Sequence, residues 1–457
     1  MKLCLGFIFS YLSLTACMAR VGFFILSQEN SYHKKLALLK EKDIYSQVKN
    51  LNLVNATVYK THQDLDIPVG HWIIYSLFEK ISKLPEFSWI FFLEDTTAID
   101  IEKLIEVFAK HNSSEDIFVG YALRDAEPTI IHHFASADKE TSISYPHAAA
   151  GFFLSFSLIR RLASRLPMKK ENMFSIDPKY ELALVIWNEV AVKLIHEPRL
   201  CTIRKESCAT WIQWEFPNCG QEVSSEKVHV AVKTCHKFHA DRVKIVKSTW
   251  ASDVEHLNIF SDVNDDSIPT IQLNVKNVPN GHCEKTLAIM RFYVVNRVPF
   301  EWLVIVDDDT LLSFRRVKKL LICYHPSENV ALGERYGYSV TNGLGYDYLT
   351  GGAGMVFSAP TVKKLVETCQ CPSIDSPDDM VIGICLKKLD IPVTHSPYFH
   401  QARPIDYSVD FLRPHKHVSF HKHWMVNPYN IYKDWLQEKS DKEQHTEFVH
   451  CQNGRGV

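Results

Sequence analysis

The chain has 457 residues, 46% of them hydrophobic and 23% charged, with a formal net charge of −2 at pH 7. That length fits two or three domains, and that balance is ordinary for a folded globular protein. It predicts neither a nucleic-acid binder nor a basic membrane-surface protein.

The N-terminus, MKLCLGFIFSYLSLTACMAR, has one early lysine, an apolar run and then small residues. It reads as a secretory signal peptide over residues 1–19, leaving no transmembrane anchor after cleavage. The rival is an uncleaved anchor continuing into VGFFIL, but Arg20 interrupts the run and each piece is short for a span. Entry into an oxidising lumen agrees with the cysteines. Twelve are present and ten lie from Cys201 onward, which favours disulfides without revealing their pairing. Asn55 and Asn112 begin Asn-X-Ser/Thr sequons and are candidate glycosylation sites.

The chain then repeats itself. WIFFLEDTT from Trp89 matches WLVIVDDDT from Trp302, and the same offset separates Gly120 from Gly333. AAAGFFLSFSLIRRLA around Gly151 matches GGAGMVFSAPTVKKLV around Gly354, and SIDPKYELAL matches SIDSPDDMVI. Four blocks in one order predict two domains of one architecture, residues 20–200 and 228–457. The Cys-rich segment 201–227 reads as a linker.

In the second half, VHVAVKT is a strand of period two and FHADRVKIVKSTW a helix with Val243, Val246 and Trp250 on one face. HLNIFSD is a strand, CEKTLAIMRFYVVN a helix, WLVIV a buried strand and RRVKKLLICYH a helix. This alternation predicts an α/β fold with a mostly parallel, Rossmann-like sheet and ligands at the carboxyl ends of its strands.

Asp307, Asp308 and Asp309 sit at such an end. Oxygen ligands there suit a hard divalent ion that also holds a diphosphate, although a solvated acidic turn or a Ca²⁺ loop has the same composition. TGGAGMVFS offers Gly351, Gly352 and Gly354 before a helix, where backbone could approach a donor closely; a tight turn has the same pattern. SPDDMVIGICL places Asp378 and Asp379 at the start of an apolar helix, as a candidate general base or as charges favourable to the helix dipole. His400, His421 and His423 could complete a metal shell, and at least one of them is expected to be structural.

Residues 228–430 resemble the Fringe-like β1,3-glycosyltransferases, a GT-A type family. The resemblance rests on VAVKTCHKFHADRVKIVKSTW, DDDT, TGGAGMVFS, PDDMVIG and SPYFHQARP, in that order. Fringe itself lacks the duplicated N-terminal half. The resemblance is greater to members that have it. It implies inverting transfer from UDP-glucose, with Mn²⁺, to the 3-hydroxyl of O-linked fucose on thrombospondin type 1 repeat proteins. It implies Asp309 as metal ligand with Asp307 in support, Asp308 on the donor, and Asp379 as base with Asp378 as fallback. SFHKHW favours His421 as the metal histidine, with His400 second. Lys233 and Arg242 are further candidate donor contacts.

Aligned on its tryptophan, the first repeat has Glu94, Asp95 and Thr96 where the second has the three aspartates, and HAAAG for TGGAG. It is expected to keep the fold and to have lost the transferase site. A Fringe-like N-acetylglucosaminyl or core 1-like galactosyl transfer, and a non-catalytic luminal binding protein, are the competing readings. The expected location is the endoplasmic reticulum lumen, with the Golgi as second choice.

Overall fold

A computed structural model describes residues 19–438, apart from 50, 52–53, 68, 126–130, 132–142, 167–173, 214–215 and 414. The signal-peptide reading therefore lies outside the described residues except for Ala19. The VGFFIL piece is no anchor. It belongs to strand Ala19–Leu26, which pairs in parallel with the edge strand Val54–Lys60 on one side and Trp89–Glu94 on the other. Among the described residues no helix is long and apolar enough to cross a membrane.

Two α/β sheets repeat one another. The first runs, edge to edge, Ile195–His196, Phe118–Gly120, Phe152–Ser155, Trp89–Glu94, Ala19–Leu26 and Val54–Lys60. The second runs Val393–His395, Ala331–Gly333, Met355–Ser358, Trp302–Asp307, Val228–Lys233, His256–Ser261 and, additionally, Thr270–Gln272. The registers correspond: Trp89 faces Val21 and Ser155, as Trp302 faces Val228 and Ser358. The central strand of each sheet is buried on both faces, which explains its unbroken apolar sequence. Trp302, Val304 and Val306 enter one core cluster and Leu303 and Ile305 the opposite one. Trp89, Phe91 and Leu93, against Ile90 and Phe92, do the same in the first domain.

The sheet is not parallel throughout. Met355–Ser358 runs antiparallel to both neighbours. The chain reaches it from Ala331–Gly333 through the hairpin Arg335–Tyr338 and Tyr346–Leu349 rather than a crossover helix, and such a return reverses the strand. The TGGAG glycines accordingly precede a strand, and helix Ala359–Thr368 only follows it.

Residues 201–212 are part of the first domain rather than linker. Thr210–Ile212 pairs antiparallel with Thr97–Ile99, as Ser419–His421 pairs with Thr310–Leu312 in the second. Four disulfides form among the described cysteines: Cys201–Cys208, Cys219–Cys323, Cys283–Cys371 and Cys369–Cys385. Cys235 is free. Cys4, Cys17 and Cys451 lie outside the described residues. The sequon residues Asn55 and Asn112 are both exposed.

The domains are joined by more than the connecting chain. Phe174–Ser175 adds a strand to the second domain's hairpin. The Gln28 side chain donates to the His395 carbonyl and accepts from its N–H, at 3.0 and 2.7 Å. Trp72 Nε1 donates to Asp347 at 2.9 Å.

Candidate active site

Strand Trp302–Asp307 ends at the sheet's carboxyl edge and turns at once into Thr310–Leu312, so the three aspartates occupy one tight corner. They point in three directions. Asp309 meets His421, whose Nε2 lies 3.0 Å from its Oδ1 and 3.9 Å from Asp307 Oδ2. Asp307, Asp309 and His421 each bring a ligand atom within 4.8 Å of the others. His421 Nδ1 donates to the Gln401 carbonyl at 3.1 Å, which leaves Nε2 directed at the carboxylates, the arrangement that orients a metal-bound imidazole. Two carboxylates and an oriented imidazole thus fit a divalent cation. The charges agree. Burial raises the Asp309 carboxyl, but the His421 hydrogen bond and charge, with Arg242, hold it well below the usual range. Burial lowers His421, and Asp309 reverses this to a net rise.

Asp308 takes no part in that group. Its two oxygens accept from Thr234 Oγ1 at 2.6 Å and Arg242 at 3.0 Å, and burial pushes it up to about 6. Arg242 also reaches Asp309 at 3.1 Å and packs over the Phe238 ring. The Arg242 side chain is 34% exposed and open to a donor, whereas Asp308, at 6%, is buried behind it. Lys233 is buried as well and differs in its partners. Its ammonium lies between Asp378 and Asp307 (3.1 Å from the latter) and its side chain is 6% exposed. Burial would lower its pKa, and the two carboxylates raise it instead. It is an internal tie rather than the donor contact expected.

The tie separates the paired aspartates of helix Asp378–Lys388. Asp378 is buried, accepts from Lys233 and from Thr286 Oγ1 (2.6 Å), and is held ionised against its burial. That makes it a poor fallback base. Asp379 is only partly buried, and one oxygen accepts from the Met380 N–H at 2.7 Å. Burial and the Asp378 charge push it up to about 7, near the pH at which a general base works best. Thr234 and Thr286 were not legible as site residues, because an isolated threonine carries no chemical signal.

His400 is not a ligand. It is 2% exposed, stacks on Phe420 with ring centres 4.6 Å apart, and pairs with His417 Nδ1 at 2.8 Å. Its imidazole is an internal hydrogen-bonder with a pKa far below normal through burial. His423, partly buried, has neither ring nitrogen hydrogen-bonded.

The glycines act inside the protein. A Cβ on Gly352 would overlap the His421 ring, and Gly354 has φ +98°, a left-handed conformation that favours glycine. A Cβ on Gly351 meets only ordinary contacts, the nearest at 3.7 Å from Asp378. Gly352→Ala should push His421 aside and weaken divalent-cation affinity about 10–100-fold, the scale of lost ligand orientation. Calorimetric titration checks this, and unchanged affinity would show that the ring moves at no cost.

The first domain shows what the site lacks when it is not maintained. Thr97 Oγ1 donates to the Ala149 carbonyl at 2.9 Å, as Thr310 Oγ1 does to Gly352 at 2.8 Å. Through the same strand pairing, Ile212 takes the place of His421. Thr96 stands for Asp309, and Ala149 stands for Gly352, where no imidazole needs the space. Asp95 is held by His33 at 2.8 Å, and His33 bonds Tyr324 of the second domain at 3.2 Å. Glu181, aligned with Asp379, turns back to accept from Ile176 N–H at 2.7 Å.

The Fringe-like family model matches residues 30–207 and again 223–455, so one description fits both halves. A β-1,3-glucosyltransferase of Mus musculus is 44% identical over 94% of this chain and 89% of its own length. The Homo sapiens β-1,3-glucosyltransferase is 44% identical over 93% and 87%. A Gallus gallus β-1,3-N-acetylglucosaminyltransferase, lunatic fringe, is 24% identical over 51% and 71%. This chain belongs to the Fringe-like family of glycosyltransferases.

Proposed function

We propose that the second domain transfers glucose from UDP-glucose, with inversion, to the 3-hydroxyl of fucose O-linked to thrombospondin type 1 repeats. The observation that carries the reading is that the carboxyl edge of the sheet gathers a group able to hold a cation, Asp307, Asp309 and His421, and at a helix start a separate carboxylate, Asp379, suited to accept a proton. The extensive identity to β-1,3-glucosyltransferases supports glucose as the sugar. Asp309, His421 and Asp307 would hold Mn²⁺. When bound, that ion supplies positive charge for the departing diphosphate. Asp308 and Arg242 position the donor. Asp379 takes the acceptor hydroxyl's proton, and Lys233 with Asp378 sets the angle of the helix that carries it. The first domain, with Thr96 and Ile212 in place of two ligands, catalyses no transfer and supports the second. The chain works in the endoplasmic reticulum lumen.

The test is a panel of UDP-glucose, UDP-N-acetylglucosamine and UDP-galactose against a fucosylated thrombospondin repeat, with and without Mn²⁺. Transfer of glucose alone, and only with the ion, is expected. Preference for N-acetylglucosamine would favour a Fringe-type activity. No metal-dependent UDP release from any donor would leave a binding protein.

A further inference from the structure

A cavity of about 170 Å³ lies between the domains, against the carboxyl edge of the first sheet. It is far larger than a single water needs and has room for a hexose-sized molecule. Its walls come from both domains, with Glu94, Thr96 and Trp72 from the first and Glu334, Ser396 and Tyr398 from the second. It therefore occupies the place in the first domain that the cation group occupies in the second.

Its chemistry excludes the ligand of the other site. Thr96 and Ile212 replace a carboxylate and an imidazole, so a cation-bound diphosphate has no anchor. The carboxyl side chains Glu94, Asp95, Asp177 and Glu334 line the cavity beside the cations Lys179 and Arg335, so the lining carries both signs of charge. Burial pushes Glu94 up to about 7 and Glu334 up to about 8, so near neutral pH roughly half of Glu94 and most of Glu334 are neutral acids. A neutral carboxyl both donates and accepts, which matches a sugar hydroxyl. Polar atoms of the lining are left waiting. Ser396 Oγ and Arg335 Nε have no hydrogen-bond partner although their residues are 2% and 8% exposed. Such groups are costly to bury unpaired and point to a ligand or ordered water. The aromatic walls supply the apolar surface that covers the C–H face of a pyranose.

We infer that this interdomain cavity is a second carbohydrate site that holds one neutral sugar residue without nucleotide or metal. The inference goes beyond the transfer reaction and does not depend on it. The sugar is either free or the terminal residue of a glycan, since both present the same ring.

The test is saturation-transfer NMR on the full chain, with UDP and Mn²⁺ in excess to occupy the second domain's site. Glucose, fucose and their methyl glycosides, a glucosyl-fucose disaccharide and inorganic phosphate are the probes. At least one neutral sugar should bind more tightly than about 10 mM, with phosphate neither binding nor competing. Thr96→Trp, which fills the cavity, and Glu94→Leu, which removes the carboxyl without filling it, should each weaken that binding by at least about tenfold. UDP affinity should stay unchanged in both. Free sugar is the ligand if only reducing sugars bind, and a glycan end if the methyl glycosides or disaccharide bind as well. The inference is overturned by no sugar binding in this range, by phosphate displacing the sugar, or by equal sugar affinity in the wild type and a folded variant. If Thr96→Trp fails to fold, Glu94→Leu alone decides.

Discussion

Asp379→Asn should lower glycosyl transfer by about 10²–10⁴-fold, the usual contribution of a general base. UDP and Mn²⁺ should still bind with near-normal affinity. Asparagine keeps the shape of the side chain and its acceptor for the Met380 N–H, so the helix start survives while the proton acceptor is lost. The cation group is built from other elements and should not notice. The pH dependence is a second readout. The base must be ionised, so kcat/KM should fall as pH drops through the Asp379 pKa, about 7 without the ion and lower with a cation nearby. The residual activity of the asparagine variant should lack that limb. Near-normal turnover would remove Asp379 from the role.

Lys233→Met should destabilise the fold by roughly 3–5 kcal/mol, because it strands two carboxylates around a buried position. The Asp378 side chain is 10% exposed and the Asp307 side chain 27%, so the heavier penalty falls on Asp378. A donor contact at the site's mouth would behave differently: its removal would raise KM and leave stability alone. Denaturant titration separates the two. The double variant Lys233→Met with Asp378→Asn should recover part of the lost stability, since the most buried unpaired charge is gone. An unchanged denaturation midpoint in the single variant would contradict the internal role.

How these residues divide their work shows what a sequence carries. The strand–helix alternation was readable because Trp302–Val306 and Trp89–Leu93 are buried on both faces and cannot hide their apolar runs. Duplication was readable because each copy must preserve that packing. Reversal of Met355–Ser358 was not, since strand direction depends on the route between strands and not on the strand's own residues. Extension of the first domain to Ile212 was hidden for a related reason. A three-residue strand among cysteines and polar residues has no periodicity to detect, and only its pairing with Thr97–Ile99 assigns it.

By itself, the sequence determined that the second half keeps three aspartates at a strand end, a PDD helix start and candidate histidines, and that the first half does not. These are matters of residue type and order. Tertiary structure decided which members act together. Asp309 found His421 and not His400, because the pairing of Thr310–Leu312 with Ser419–His421 brings Thr310 opposite His421 across 110 intervening residues. Lys233 and Asp378 met by folding of separate elements, leaving Asp379 as the carboxylate without a cationic partner. Charge environment depends on distance and burial, and neither is written in the order of residues.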